Sequence, residues 1–182
     1  LNYLLHPDLS EFTLQELQSR IPYNYLAVSR AVGELERKQL LQARKDRKTK
    51  LIYSSMLRKD LWNKAMPYFV SPVKKIVYSD EVGGDSFYIG GVSALSHYSF
   101  LNADDQITLA IWERDYVSGN YSFSEWESSD FKYKIEIWKY SPEMKIGQQG
   151  YVDRLSLYLS LREDKDPRVE KELENIIREI WQ

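Results

Sequence analysis

Two histidines and no cysteine leave this 182-residue chain few groups for nucleophilic or metal chemistry. His97 stands beside Ser93 and Ser96, the side-chain types of a serine nucleophile and its base. Neither serine sits in a nucleophile-elbow pattern, and no acid can be assigned to orient the imidazole. We therefore expect His97 to be partly buried and hydrogen-bonded. Asp104-Asp105 could join Asp80, Glu81 or Asp85 around a cation, but adjacent carboxylates point different ways and nothing sets an octahedral spacing. The pairs Gly83-Gly84 and Gly90-Gly91 lack both the lysine and hydroxyl of a phosphate loop and the GxGxxG spacing, so they read as turns or a helix entrance.

One enzymatic pattern survives as an alternative. Glu136-Ile137-Trp138-Lys139 and Asp130-Phe131-Lys132 lie near the acid-x-lysine strand signature of a metal-dependent nuclease. The first has one residue too many, and the second lacks a partner acid upstream. We assign no catalytic residue, no metal ligand and no cofactor, and expect a chain that is not an enzyme.

The cations make the stronger pattern. Residues 37–50 hold seven Lys/Arg and one Asp, a net +6 within fourteen positions that repels itself unless spread into water or laid on phosphate. Residues 1–75 carry fourteen Lys/Arg against seven Asp/Glu, and residues 76–182 carry eleven against twenty. Net charges of +7 and −9 suggest a basic unit suited to a polyanion and an acidic one that a polyanion would repel. With 43% apolar residues and 14% aromatic, the chain has enough core material to exclude disorder as its main state. No apolar run approaches the roughly 20 residues of a membrane helix, and the absence of cysteine fits a cytoplasmic location. The sequence opens at Leu1 without methionine, so further residues are expected ahead of it.

The elements that hold these cations can be read from caps and periodicity. Thr13 with Glu16 three positions on is a capping-box spacing, so a short helix should begin there and end at Ile21-Pro22. Asn24 can cap a second helix, over residues 24–38, in which Val28, Val32 and Leu35 form the buried stripe. Residues 38–53 read as a β-hairpin with a basic tip. Residues 57–66 look helical through Leu57, Leu61 and Ala65 spaced by four, and Pro67, Ser71 and Pro72 mark a boundary. The expected organisation is α+β: residues 1–66 a winged helix-turn-helix, 67–75 a connector, and 76–182 a small α/β domain for sensing, oligomerisation or partner binding. In the latter, strands are expected at residues 74–78, 107–112 and 133–140, and helices at 92–101, from 155, and from Pro167. Val169, Leu173, Ile176, Ile177 and Ile180 give the last helix an apolar stripe that should close its own domain rather than pair with another subunit.

Phe12-Thr13-Leu14-Gln15-Glu16-Leu17, Val28-Ser29-Arg30-Ala31-Val32, Glu34-Leu35-Glu36 and Leu40-Leu41 resemble winged-helix regulators of the MarR type. That resemblance implies a DNA-reading helix over residues 24–38, a wing over 44–50 and a preceding helix of which residues 1–5 are the remnant. The family pattern places a glycine near Gln39, which this chain lacks. Residues 91–101, 151–161 and 166–169 resemble the carboxy-terminal region of AbiEi-type antitoxins, although Arg154 stands where a proline is expected. This second resemblance implies an autoregulating antitoxin paired with a toxin protein.

The chemistry of the side chains assigns the contacts. Asn24, Tyr25, Ser29 and Arg30 are candidates for base edges, Arg30 through a bidentate pair with guanine. Arg30 could instead pair with Glu34 at i,i+4, and Tyr25 could simply cover the turn at Pro22. Lys38, Arg44, Lys45, Arg47, Lys48 and Lys50 are candidates for phosphate. The expectation is a double-stranded DNA-binding transcriptional regulator, a repressor acting as a homodimer. The alternatives are a protein-interaction module using the same scaffold, with the basic hairpin meeting an acidic protein, and the nuclease.

Overall fold

The computed structural model describes residues 1–5, 10–47, 49–102, 104–142 and 150–182. The chain is mixed α+β and divides between Pro67 and Pro72 into two compact units, Leu1–Phe69 and Val70–Gln182. Among the described residues no helix is long and apolar enough to cross a membrane.

The first unit runs α1 (Asn2–Leu5), β1 (Glu11–Phe12), α2 (Leu14–Arg20), α3 (Tyr25–Arg37), β2 (Gln42–Asp46), β3 (Thr49–Tyr53) and α4 (Arg58–Ala65), followed by a 3-10 turn over Met66–Tyr68. Strands β2 and β3 form an antiparallel hairpin, and β1 adds to the other edge of β3, pairing Glu11 with Tyr53 and Phe12 with Ile52. Sequence patterning did not anticipate β1, because two residues are too few to show alternation. Phe12, Leu17, Val28, Val32, Leu41 and Ile52 close the core from both helices and the sheet, with Leu35 packed against them. In α4 the buried residues are Leu61, Trp62 and Ala65. Leu57 does not belong to that stripe: it is the N-cap, with extended ψ, and is 76% exposed. A residue ahead of the first helical turn does not project from the helix face, whatever its spacing.

The missing glycine after α3 has a direct structural answer. Gln39 itself takes φ +56. Leu40 N–H donates to Leu35 O and Gln39 N–H to Glu36 O, the paired bonds of a Schellman cap. The corner is therefore closed in the left-handed geometry that glycine usually supplies, by a residue for which that geometry is costly.

The second unit is built on a four-stranded sheet of order β4-β7-β6-β5, from β4 (Val73–Ser79), β5 (Tyr88–Ile89), β6 (Ile107–Trp112) and β7 (Tyr133–Trp138). The β6–β7 pair is parallel, and α6 (Glu113–Ser118), which the patterning missed, lies in the connection between those strands. Val77, Leu109, Ile111, Ile135 and Ile137 form one core with Phe87, Tyr116, Tyr121 and Phe123. Ala110 and Trp138, on alternate strand positions, pack with α5 (Gly91–Tyr98), α7 (Arg154–Leu161) and α8 (Pro167–Ile180). Val169, Leu173 and Ile176 of α8 are buried there beside Ala94, Leu95, Leu157 and Leu161, so α8 closes its own unit. Asp166 caps α8 through Arg168 N–H, and Pro167 occupies the first turn, where its missing donor costs nothing. Of the two glycine pairs, Gly90 is the N-cap of α5, and Gly91 takes φ +49 with Thr108 too close to admit a Cβ.

Candidate nucleic-acid interface

The candidate interface begins with two caps. Thr13 Oγ1 accepts from Glu16 N–H at 3.1 Å while Glu16 Oε2 accepts from Thr13 N–H at 2.7 Å, and these bonds hold the Glu16 carboxyl below its usual range. Ile21, in extended geometry, ends α2 ahead of Pro22. Asn24 Oδ1 then accepts from Ala27 N–H at 2.9 Å and starts α3. Val28 and Val32 are buried, which turns the other side of α3 outward: Leu26, Ala27, Arg30, Ala31, Glu34 and Arg37 are all exposed.

The four candidate base contacts occupy different positions around this helix. Asn24 Oδ1 is committed to the cap, leaving its amide NH₂ as the donor for an outside partner. Tyr25 is 51% exposed and lines a groove with Thr13, Leu14, Gln15, Thr49 and Lys50. Ser29 is half-buried. Arg30 stands outward, and Glu34 forms its ion pair with Arg37 rather than with Arg30. Among the described residues Arg30 has no ion-pair partner. Leu26, 57% exposed, together with Ala27, Ala31 and Arg37, was passed over in the sequence reading. Subtracting the Val28, Val32 and Leu35 stripe from the helical wheel would have exposed all four.

In the hairpin, register sets which way each cation faces. Lys45 pairs directly with Lys50 on the face that carries Ala43 and Ile52, while Arg44 pairs with Leu51 on the opposite face. Two ammonium groups across one antiparallel pair repel, and Glu36 of α3 relieves this by accepting from Lys50 Nζ at 2.9 Å. On the other face Arg44 makes two bonds to Glu11, at 3.1 and 2.6 Å, which raise the guanidinium further above its usual range. Lys38 Nζ lies 3.9 Å from the centre of the Tyr68 ring. Arg47 sits at the hairpin turn with φ +54, and Lys45 and Arg47 have no ion-pair partner among the described residues. Lys48 lies outside the described residues. The first unit holds twelve Lys/Arg against seven Asp/Glu, and it brings α3 and the hairpin together through Lys50, which meets both Glu36 and the groove at Tyr25.

The groups weighed for catalysis are arranged otherwise. His97 is exposed rather than partly buried, and its ring stacks on Tyr151 at 4.2 Å between centroids. Ser93 Oγ accepts from Thr108 N–H at 2.9 Å and Ser96 Oγ donates to Ser93 O at 2.8 Å, so both hydroxyls serve the fold. Glu136 is buried on the helix-facing side of β7, where it accepts from Trp138 Nε1–H at 2.9 Å, and burial pushes its carboxyl up. Among the described residues no group of three or more His, Cys, Asp or Glu side chains gathers to hold a metal ion. Comparison of the chain with models of protein families, with curated proteins and with solved structures finds no match.

Proposed function

We propose that the first unit is a winged helix-turn-helix that binds double-stranded DNA, and that the chain is a transcriptional regulator acting as a repressor. The observation that carries this reading is an exposed arginine, Arg30, without an ion-pair partner among the described residues, on the outward face of a capped helix with a basic hairpin beside it. Helix α3, thirteen residues and about 20 Å long, fits a major groove about 12 Å wide. In this reading Arg30 meets guanine and Leu26, Ala27 and Ala31 meet thymine methyls, while Lys38, Arg44, Lys45, Arg47, Lys48 and Lys50 serve phosphates. The chain then acts in the cytoplasm as a homodimer whose two helices reach half-sites about 34 Å apart. Its resemblance to AbiEi-type antitoxins favours control of its own operon and a toxin partner.

Selecting bound fragments from random duplex DNA with the full chain supplies a preferred sequence, against which two variants separate the roles. Arg30→Ala should lose about 1–3 kcal/mol on that sequence and little on random DNA, while Lys45→Ala should weaken both alike and lower the salt slope by about one. Identical behaviour of the two variants would refute the division between base and phosphate contacts. Absence of any enrichment, with retention of an acidic protein surface, would favour the protein-interaction alternative.

A further inference from the structure

Gly33 sits in the middle of α3, where glycine makes a helix less stable than alanine would. Its surroundings give no reason for that choice. A Cβ built on Gly33 meets nothing within 4 Å outside the helix's own neighbouring backbone, so no side chain of the unit needs the space. Gly91 shows the contrast, since there Thr108 would lie 2.5 Å from the added atom.

Around the helix Gly33 falls in line with three other residues. Leu26, Arg30, Gly33 and Arg37 are spaced by four, three and four positions, which places them on one stripe. Leu26 is 57% exposed, the Arg37 side chain is 72% exposed, and Arg30 points outward with no ion-pair partner among the described residues. Glu34, beside the stripe, has its charge covered by Arg37. The stripe thus offers an apolar end, the cation of Arg30, and about 10 Å further along the axis Arg37, whose charge is shared with Glu34, with a position without a side chain between the two arginines.

We infer that duplex DNA docks along this line, with Gly33 as the point of closest approach between the α3 backbone and the groove. The inference rests on the DNA-binding reading and narrows it to one side of the helix. Charge decides the occupant: Arg30, the Arg37 pair with Glu34 and the basic hairpin together carry a net positive charge that complements a phosphate-lined groove. A methyl group at residue 33 would hold the helix away from the bases while leaving the fold intact.

The test uses the full chain, the duplex of about 25 bp that it enriches from a random library, and a scrambled duplex of the same composition, at about 50 mM salt. Gly33→Ala should raise the melting temperature of the first unit by roughly 4–8 °C and weaken binding to the enriched duplex at least about tenfold, with less than about a threefold change on the scrambled one. A gain in stability together with a loss of affinity is a combination that a merely structural role would not give. Equal or tighter binding of Gly33→Ala to the enriched duplex would overturn the docking line and leave the DNA reading standing. Binding by the wild type without enrichment of any sequence would also overturn it. Failure of the wild type to bind any duplex would remove the DNA reading itself.

Discussion

Glu36→Gln should tighten binding to duplex DNA by about 1.5- to 5-fold. In the free protein Lys50 Nζ lies 2.9 Å from Glu36 Oε2, with the two side chains 52% and 26% exposed. An ion pair of that exposure is worth about 0.2–1 kcal/mol, and this must be given up or shared before Lys50 can serve a phosphate. Converted through RT, the range gives the fold-change above, and glutamine keeps the size of the side chain while removing its charge. Fluorescence anisotropy on one duplex between about 50 and 200 mM salt reads both quantities: affinity should rise, and the slope of log K against log salt should steepen by up to about 0.9 if Lys50 becomes a full phosphate contact. A variant that melts like the wild type but binds no more tightly would show that Lys50 does not face the DNA. The hairpin would then have to dock through its other cations, Arg44, Lys45, Arg47 and Lys48.

Two further substitutions test the fold, one in each unit. Gln39→Gly should stabilise the first unit by about 0.5–1 kcal/mol, because it removes the cost of a left-handed side-chain-bearing residue and adds back only part in backbone entropy; Lys64 Nζ donates to the Gln39 carbonyl, a contact that survives the change, and denaturant melts showing a loss would count against the Schellman corner. Glu136→Gln should stabilise the second unit at pH 7, because it removes the charge that burial disfavours. Burial raises the folded pKa of Glu136, only partly opposed by the Trp138 hydrogen bond and the nearby charge of Lys134, so its favourable contribution is present below the ordinary value of 4.5 and is lost as pH rises through the folded value. The variant's stability advantage over the wild type should therefore grow as pH rises over that window, and a variant less stable than the wild type at pH 7 would contradict the assignment.

The parts of the fold that were legible in the sequence are those written in local chemistry. Thr13 with Glu16, Asn24, and Asp166 with Pro167 announce helix starts through hydrogen bonds made within three residues, and the three corresponding helices begin at them. The stripes in α3 and α8 survive because periodicity reports which face must leave water. Leu57 misled for the converse reason, since spacing alone cannot tell a helical residue from the cap that precedes it. Strand β1 was invisible because Glu11 and Phe12 are strand only through pairing with Tyr53 and Ile52, forty or more positions away. At the interface, charge density located the hairpin, but register decided that Arg44 and Lys45 face opposite sides and that Glu11 and Glu36 engage two of the cations. Leu26 and Arg37 stand outward because Val28 and Val32 turn inward, and neither announces itself through a cap or an apolar stripe.

The central claim is that the first unit presents cations to a nucleic-acid duplex, and the salt dependence of a mobility shift tests it most directly. With the full chain and a labelled duplex of about 25 bp, binding should be present at about 50 mM salt and fall steeply toward 200 mM, with a slope corresponding to roughly four to six phosphate contacts. No shift at about 50 mM salt, or an affinity that does not change with salt, would contradict the account.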